Sequence, residues 1–125
     1  MPKLRITSMD SMQSFGKKGE EMASNFLIGK GYQIIERNFR FKKSEIDIIC
    51  SIDGLLIFVE VKARSTKSFG EPETFVSENQ KCSVVRAAEH YVIEKHWEGD
   101  IRFDIIAIYK DKERQEINHF EDAFY

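Results

Sequence analysis

The dipeptide Asp53-Gly54 joins two apolar arms, SEIDIICSI and LLIFVEVKAR. Asp-Gly between strand-like runs is the strongest short-range signal for a two-residue hairpin turn. Ile, Val and Phe dominate both arms, as a pleated and covered surface demands. With Asp53 and Gly54 as the turn, Ile52 faces Leu55. Counting back along both arms sets Asp47 opposite Glu60 and Glu45 opposite Lys62. In this register Ile46, Ile48, Cys50 and Ile52 share one face with Leu55, Ile57, Val59 and Val61. A slip of one residue would mix the apolar and charged faces. The second face carries Ile49, Ser51, Leu56 and Phe58 near the turn and charges near the open end. Both faces are therefore partly apolar, which predicts central strands covered on both sides.

Directly opposed side chains hold their Cβ atoms ~4.5–5.5 Å apart. Two carboxylates at that spacing on a half-buried sheet repel, and a proton, a base or a divalent cation must compensate. Lys62 is diagonal to Asp47 and supplies one positive charge. Oxygen-only ligands with charge to spare suit a hard cation such as Mg²⁺. The plainer alternative is a solvated network of Glu45, Asp47, Glu60, Lys62 and Arg64 at a sheet end. Two features weigh against it. The acids interrupt apolar runs (IDII and FVEVK), where solvation is poor, and Lys62 projects on the same face as Glu60.

The rest of the chain reads as one domain. FGKKGEEMASNFLIGKG (15–31) has Phe15, Met22, Ala23, Phe26 and Leu27 on one helical face, and YQIIERNF (32–39) is strand-like. FRFKKS (39–44) is a basic turn. Val84, Val85, Ala88, Tyr91 and Val92 mark a helix over about 74–97, RFDIIAIY (102–109) is a strand, and the tail adds a short edge strand around Ile117. This predicts an α/β fold with a mixed sheet, in the order α-β-β-β-α-β, and a crossover laying the second helix on one face. Residues 1–14 read as a mobile extension before a single domain over 15–125.

At 125 residues the chain can bury a core without disulfides or metal staples. Cys50 and Cys82 lack metal-ligand spacing, which argues against structural zinc and suits a reducing cytoplasm. No stretch approaches the ~20 apolar residues of a membrane span. A net charge of −2 does not by itself announce a nucleic-acid partner.

Asp47 followed by Glu60-Val61-Lys62 resembles the PD-(D/E)xK nuclease superfamily, with Ile46 where a proline often stands. The wider chain is more specific. GKKGEEMASNFL, GYQIIERNFR, EIDII, FVEVKARS, FGEPE, Lys81 and RFDIIAI occur in the order found in the YraN-like family of predicted endonucleases, over about residues 15–125. Ser44 replaces that family's usual glycine before Glu-Ile-Asp. The pattern is also similar to archaeal Holliday-junction resolvases. The resemblance implies a restriction-endonuclease-like fold in which Asp47, Glu60 and the Val61 main-chain carbonyl bind Mg²⁺, with Mn²⁺ as a substitute. It implies that Lys62 positions or activates water, and that Glu20 reaches the metal through water or binds a second ion.

Other candidates carry plainer readings. Glu20 borders the apolar helix face, where a surface acid is ordinary, and Glu21 competes for its role. Lys81, with Val85, Ala88 and Val92, either snorkels past the core or aims at a phosphate. Arg37, Arg40, Lys42, Lys43, Arg64 and Lys67 flank the pair in sequence and suit phosphate contacts; Phe39 and Phe41 among them read better as core. The histidines show no ligand spacing, and Arg102 with Asp104 reads as a structural pair. The expectation is a Mg²⁺-dependent DNA endonuclease acting on branched or structured DNA, with no membrane partner, as a homodimer if both strands are cut. The alternative is a non-catalytic nucleic-acid-binding or adaptor module that keeps the fold.

Overall fold

The computed structural model describes residues 8–64 and 76–125, with side chains from residue 17 onward. The elements run α1 (Ser8–Gly29), β1 (Gln33–Phe41), β2 (Ser44–Ile52), β3 (Leu55–Arg64), α2 (Glu78–Glu94), β4 (Ile101–Lys110) and β5 (Gln115–Phe120). The five strands form one sheet in the order β1-β2-β3-β4-β5. Only β3 and β4 run parallel, and α2 lies between them in sequence. The other neighbours are antiparallel.

Asp53 and Gly54 both adopt positive φ, 49° and 79°. That conformation defines a type I′ turn, whose twist matches the flanking strands. The resulting ladder pairs Ile52 with Leu55, Cys50 with Ile57 and Ile48 with Val59, the register the turn dictates. Both sheet faces are covered. Ile49, Leu56, Phe58, Phe103 and Ile105 pack under Val84, Ala87, Ala88 and Tyr91 of α2. Ile48, Cys50, Ile57, Val59, Ile106 and Ile108 pack under Ala23 and Leu27 of α1. Burial pushes the Cys50 thiol up to about 12, so this cysteine behaves as a small hydrophobe.

Two expectations need correction. Ile46 does not join Ile48 and Cys50; it packs on the α2 side, so β2 changes face at Asp47. On the neighbouring strand, Arg37 pairs with Ile48 and Phe39 with Ile46, and Asn38 between them has a left-handed φ of 56°. The left-handed residue turns its own strand over at the same level. Next, α1 starts at Ser8, inside the stretch read as an extension; residues 1–7 lie outside the described residues. The short edge strand expected around Ile117 is β5, which follows α-β-β-β-α-β and pairs antiparallel with β4. No described helix is long and apolar enough to cross a membrane.

The first helix comes close to the sheet. A Cβ added at Gly19 would sit 3.0 Å from the Cβ of Ala63 on β3, so glycine permits this approach. Glu20 follows immediately. On the α2 side of the sheet, Phe124 is buried and packs on Phe103, so the tail closes part of that core.

Candidate active site

The β2–β3 ladder runs from the turn as far as Ile48 and Val59. One step further, the Val61 N–H donates to Asp47 Oδ2 at 2.8 Å. A side-chain oxygen thus stands where a neighbouring strand would offer a carbonyl. This follows from the change of face: at the switch the Asp47 side chain is turned along the sheet, into the gap where the strands part. In a strand the N–H and C=O of one residue point the same way. The Val61 carbonyl therefore faces the same gap.

Glu60 enters from the α2 side and is nearly buried, with 6% of its surface exposed. It lies close enough to Asp47 for its charge to act on that carboxyl. Gln80 Nε2 donates to Glu60 Oε2, and Lys62 Nζ lies 3.4 Å from the same oxygen. Loss of solvent raises the Asp47 pKa first, and the charge on Glu60 adds to it; the Val61 N–H opposes, while Glu20 and Glu45 push further upward. The outcome is an Asp47 pKa of about 8. Burial also raises Glu60, against the pull of Lys62. Two neighbouring buried carboxyl groups that are both raised mark a site short of positive charge.

The predicted residues divide accordingly. Asp47, Glu60, Lys62 and the Val61 main chain come together, with Glu20 near enough to act on Asp47 electrostatically. Glu20 is half-buried and its competitor Glu21 is exposed. Lys62 does not neutralise Asp47 as expected from the diagonal; it pairs with Glu60. Glu45 faces Arg40 across the β1–β2 pair, 3.4 Å away, rather than Lys62. Arg37 and Lys43 are exposed. Lys42 lies over the Phe41 ring. Arg64 Nη1 donates to the Ala63 carbonyl, and Lys67 lies outside the described residues. Phe39 and Phe41 belong to the core, where Phe41 stacks on His90 with centroids 4.0 Å apart.

Lys81 is not on the core face of α2, which is formed by Val84, Ala87, Ala88 and Tyr91. It pairs with Glu78 at 3.3 Å. The helix residue that reaches the acids is Gln80. Ser77 caps α2 by accepting the Gln80 N–H, half of a reciprocal cap of the type Ser-x-x-Gln. In such a cap the Gln side chain would turn back to the cap residue; here it goes to Glu60 instead. Ser77-Glu78-Asn79-Gln80 was the available sequence signal for this helix start.

The second polar cluster lies on β4 and β5. Asp104 is fully buried and accepts from Arg102 Nε and Nη2 at 2.8 Å each, His119 Nε2 at 2.7 Å and the Asp122 N–H at 3.0 Å. Arg102 also donates to the Tyr32 hydroxyl, and Lys30 Nζ lies 2.8 Å from His119 Nδ1. Burial alone would raise the Asp104 pKa; the hydrogen bonds from His119, Arg102 and Asp122 outweigh it and hold the carboxyl below its usual range. This cluster confirms Arg102 and Asp104 as a structural pair and adds His119 to it.

Residues 19–108, most of this arrangement, match the uncharacterised protein family UPF0102. The chain belongs to that family. It is similar to UPF0102 proteins of Flavobacterium psychrophilum and Christiangramia forsetii, each 46% identical over 117 residues covering 94% of this chain and 98% of the relative. A Clostridioides difficile member is 42% identical over 110 residues, 87% of this chain and 95% of its own. The match to UPF0102 takes in Glu20, Asp47, Glu60, Lys62, Gln80 and Asp104.

Proposed function

We propose that this UPF0102 protein is a Mg²⁺-dependent DNA endonuclease of restriction-endonuclease-like type, acting on branched or otherwise structured DNA. The observation that carries the reading is the under-neutralised Asp47–Glu60 contact with Lys62 beside it. The donor set fits a hard cation. Mg²⁺ is typically held by one or two carboxylates, with water and substrate phosphate completing its shell. Asp47, Glu60 and the Val61 carbonyl would hold it, and Glu20 would act through water. Bound there, Mg²⁺ supplies Lewis-acid polarisation of a phosphodiester.

The chain's own groups do the rest. The Lys62 ammonium stands beside Glu60, placed to orient a water and to meet charge developing on phosphoryl oxygens. Gln80 fixes the Glu60 carboxyl from α2. The Val61 N–H fixes that of Asp47. Arg37, Arg40, Lys42, Lys43, Arg64, Lys67 and Lys81 supply phosphate contacts that position a duplex or junction without reading its sequence. A homodimer would bring two such sites to opposite strands.

The test is nicking of plasmid, flap and junction DNA with Mg²⁺ or Mn²⁺. Asp47→Ala should abolish it, and Lys62→Ala should lower the rate ~10²–10³-fold, the usual effect of removing one charge-stabilising donor. Equal activity in both variants would refute the assignment. A second reading, a non-catalytic nucleic-acid-binding or adaptor module, is favoured by one observation: among the described residues no three acidic, His or Cys side chains converge as a metal cluster. On that reading DNA binding survives EDTA and Asp47→Ala and falls steeply with salt.

A further inference from the structure

A groove of about 330 Å³ opens between α2 and the C-terminal segment, lined by Glu78, Lys81, Cys82, Val85, Arg86, Phe124 and Tyr125. Its walls are largely apolar and aromatic; Tyr125 is 88% exposed. Lys81 and Arg86 stand at its rim. Lys81 is paired with Glu78, and Arg86 is exposed without an acidic partner among the described residues. The volume lies at the small end of the ~300–1,000 Å³ typical of ligand sites, which suits one planar ring system better than an extended cofactor.

Position gives the groove its meaning. Gln80 reaches Glu60, while the next residue, Lys81, turned ~100° around the helix, lines the groove. Groove and acid pair are thus neighbours across one helix residue. A strand whose phosphate lies at Asp47 and Glu60 would bring an adjacent nucleotide to this groove. There a flat apolar ring meets exposed tyrosine, and its phosphate meets Arg86.

We infer that the groove between α2 and the C-terminal segment holds one unpaired nucleobase of the bound nucleic acid, stacked against Tyr125 with its phosphate on Arg86. The inference rests on nucleic acid being the partner of the Asp47 site, and it narrows the substrate to nucleic acid with an unstacked base. Stacking on aromatic side chains tolerates any base, so the groove selects single-stranded character rather than sequence.

Cys82 is exposed in the groove and Cys50 is fully buried, so alkylation by a maleimide reports on the groove alone. The experiment uses the wild-type chain in EDTA at low salt, so cleavage never enters. A short oligodeoxyadenylate should slow Cys82 alkylation several-fold, and an abasic strand of equal length should not. Arg86→Glu should weaken oligodeoxyadenylate binding roughly tenfold and leave fully paired duplex binding within twofold. Equal protection by the abasic strand, no protection by either, or protection only by an apolar peptide would each overturn the inference. The two readings fail separately. Metal-dependent nicking without base-dependent protection removes the groove and keeps the nuclease. Base-dependent protection with no nicking on any substrate removes the nuclease and keeps the groove.

Discussion

Asp47 and Asp104 are both withdrawn from water in one sheet, yet their surroundings are opposite. Asp104 accepts four hydrogen bonds, from Arg102 twice, from His119 and from the Asp122 N–H, and its carboxyl is held below the usual range. Asp47 accepts one from a main-chain N–H, contacts a second carboxyl, and is pushed up to about 8. A buried charge that is fully satisfied serves the fold. One left short of positive charge is costly to the fold and open to a ligand, and strongly perturbed groups of that kind cluster at functional sites.

The largest expected contrast is in stability. Asp104→Ala removes the shared acceptor of Arg102 and His119, leaving Arg102 only Glu121 and the Tyr32 hydroxyl, and should cost ~3–5 kcal/mol, the usual result of removing one member of a buried pair; urea denaturation reads it directly. Mg²⁺ should act on the other cluster only. At a hundredfold excess over its Kd it should stabilise the wild type by about 2.7 kcal/mol through mass action, and it should leave Asp47→Asn unmoved in a thermal melt. Third, in EDTA, Asp47→Asn should stabilise the protein by ~1 kcal/mol at pH 7.5, as substitutions at strained functional sites often do. Asparagine still accepts the Val61 N–H and stays neutral without taking up a proton.

That gain should depend on pH. The Asp47 carboxyl is protonated in the folded chain up to about 8 but ionises near 3.8 when unfolded. Between those values the folded state binds more protons, so stability falls as pH rises. Asp104 has the opposite sign: its contribution is present above 3.8 and is lost as pH falls through its depressed folded value. The melting temperature of Asp47→Asn relative to wild type should therefore climb from pH 4 to pH 8. A flat difference would mean that the folded chain does not raise the Asp47 carboxyl. The smallest effect belongs to Arg40→Ala. Its guanidinium is 74% exposed beside Glu45, and exposed pairs contribute below ~1 kcal/mol.

The hairpin was readable because Asp-Gly fixes a turn, the turn fixes a register, and period-two alternation carries that register out to Ile48 and Val59, one step short of the expected Asp47–Glu60 pairing. What alternation could not show is the change of face at Asp47. Its counterpart is the left-handed Asn38 on a different strand, and no pattern within β2 encodes it. The same limit explains Lys62, which follows Glu60 rather than the predicted diagonal. Lys81 was placed on the core face by its spacing to Val85, Ala88 and Val92, yet its side chain pairs with Glu78, and the residue that meets the acids is Gln80. His119 carried no metal-ligand spacing, and its partners, Lys30 just after α1 and Asp104 on β4, are distant in sequence, so only tertiary structure assembles them.

Gly19 bears on all of this through what it lacks. Its bare α-carbon lets the first helix rest against Ala63, and the next residue is the acid whose field reaches Asp47. A single methyl group there would act as a shim, prising the helix from the sheet and carrying Glu20 with it. The electrostatic load on the candidate metal-binding pair is thus set partly by the thickness of one residue in the opposite layer. Gly19→Ala would loosen the site without touching any group in it.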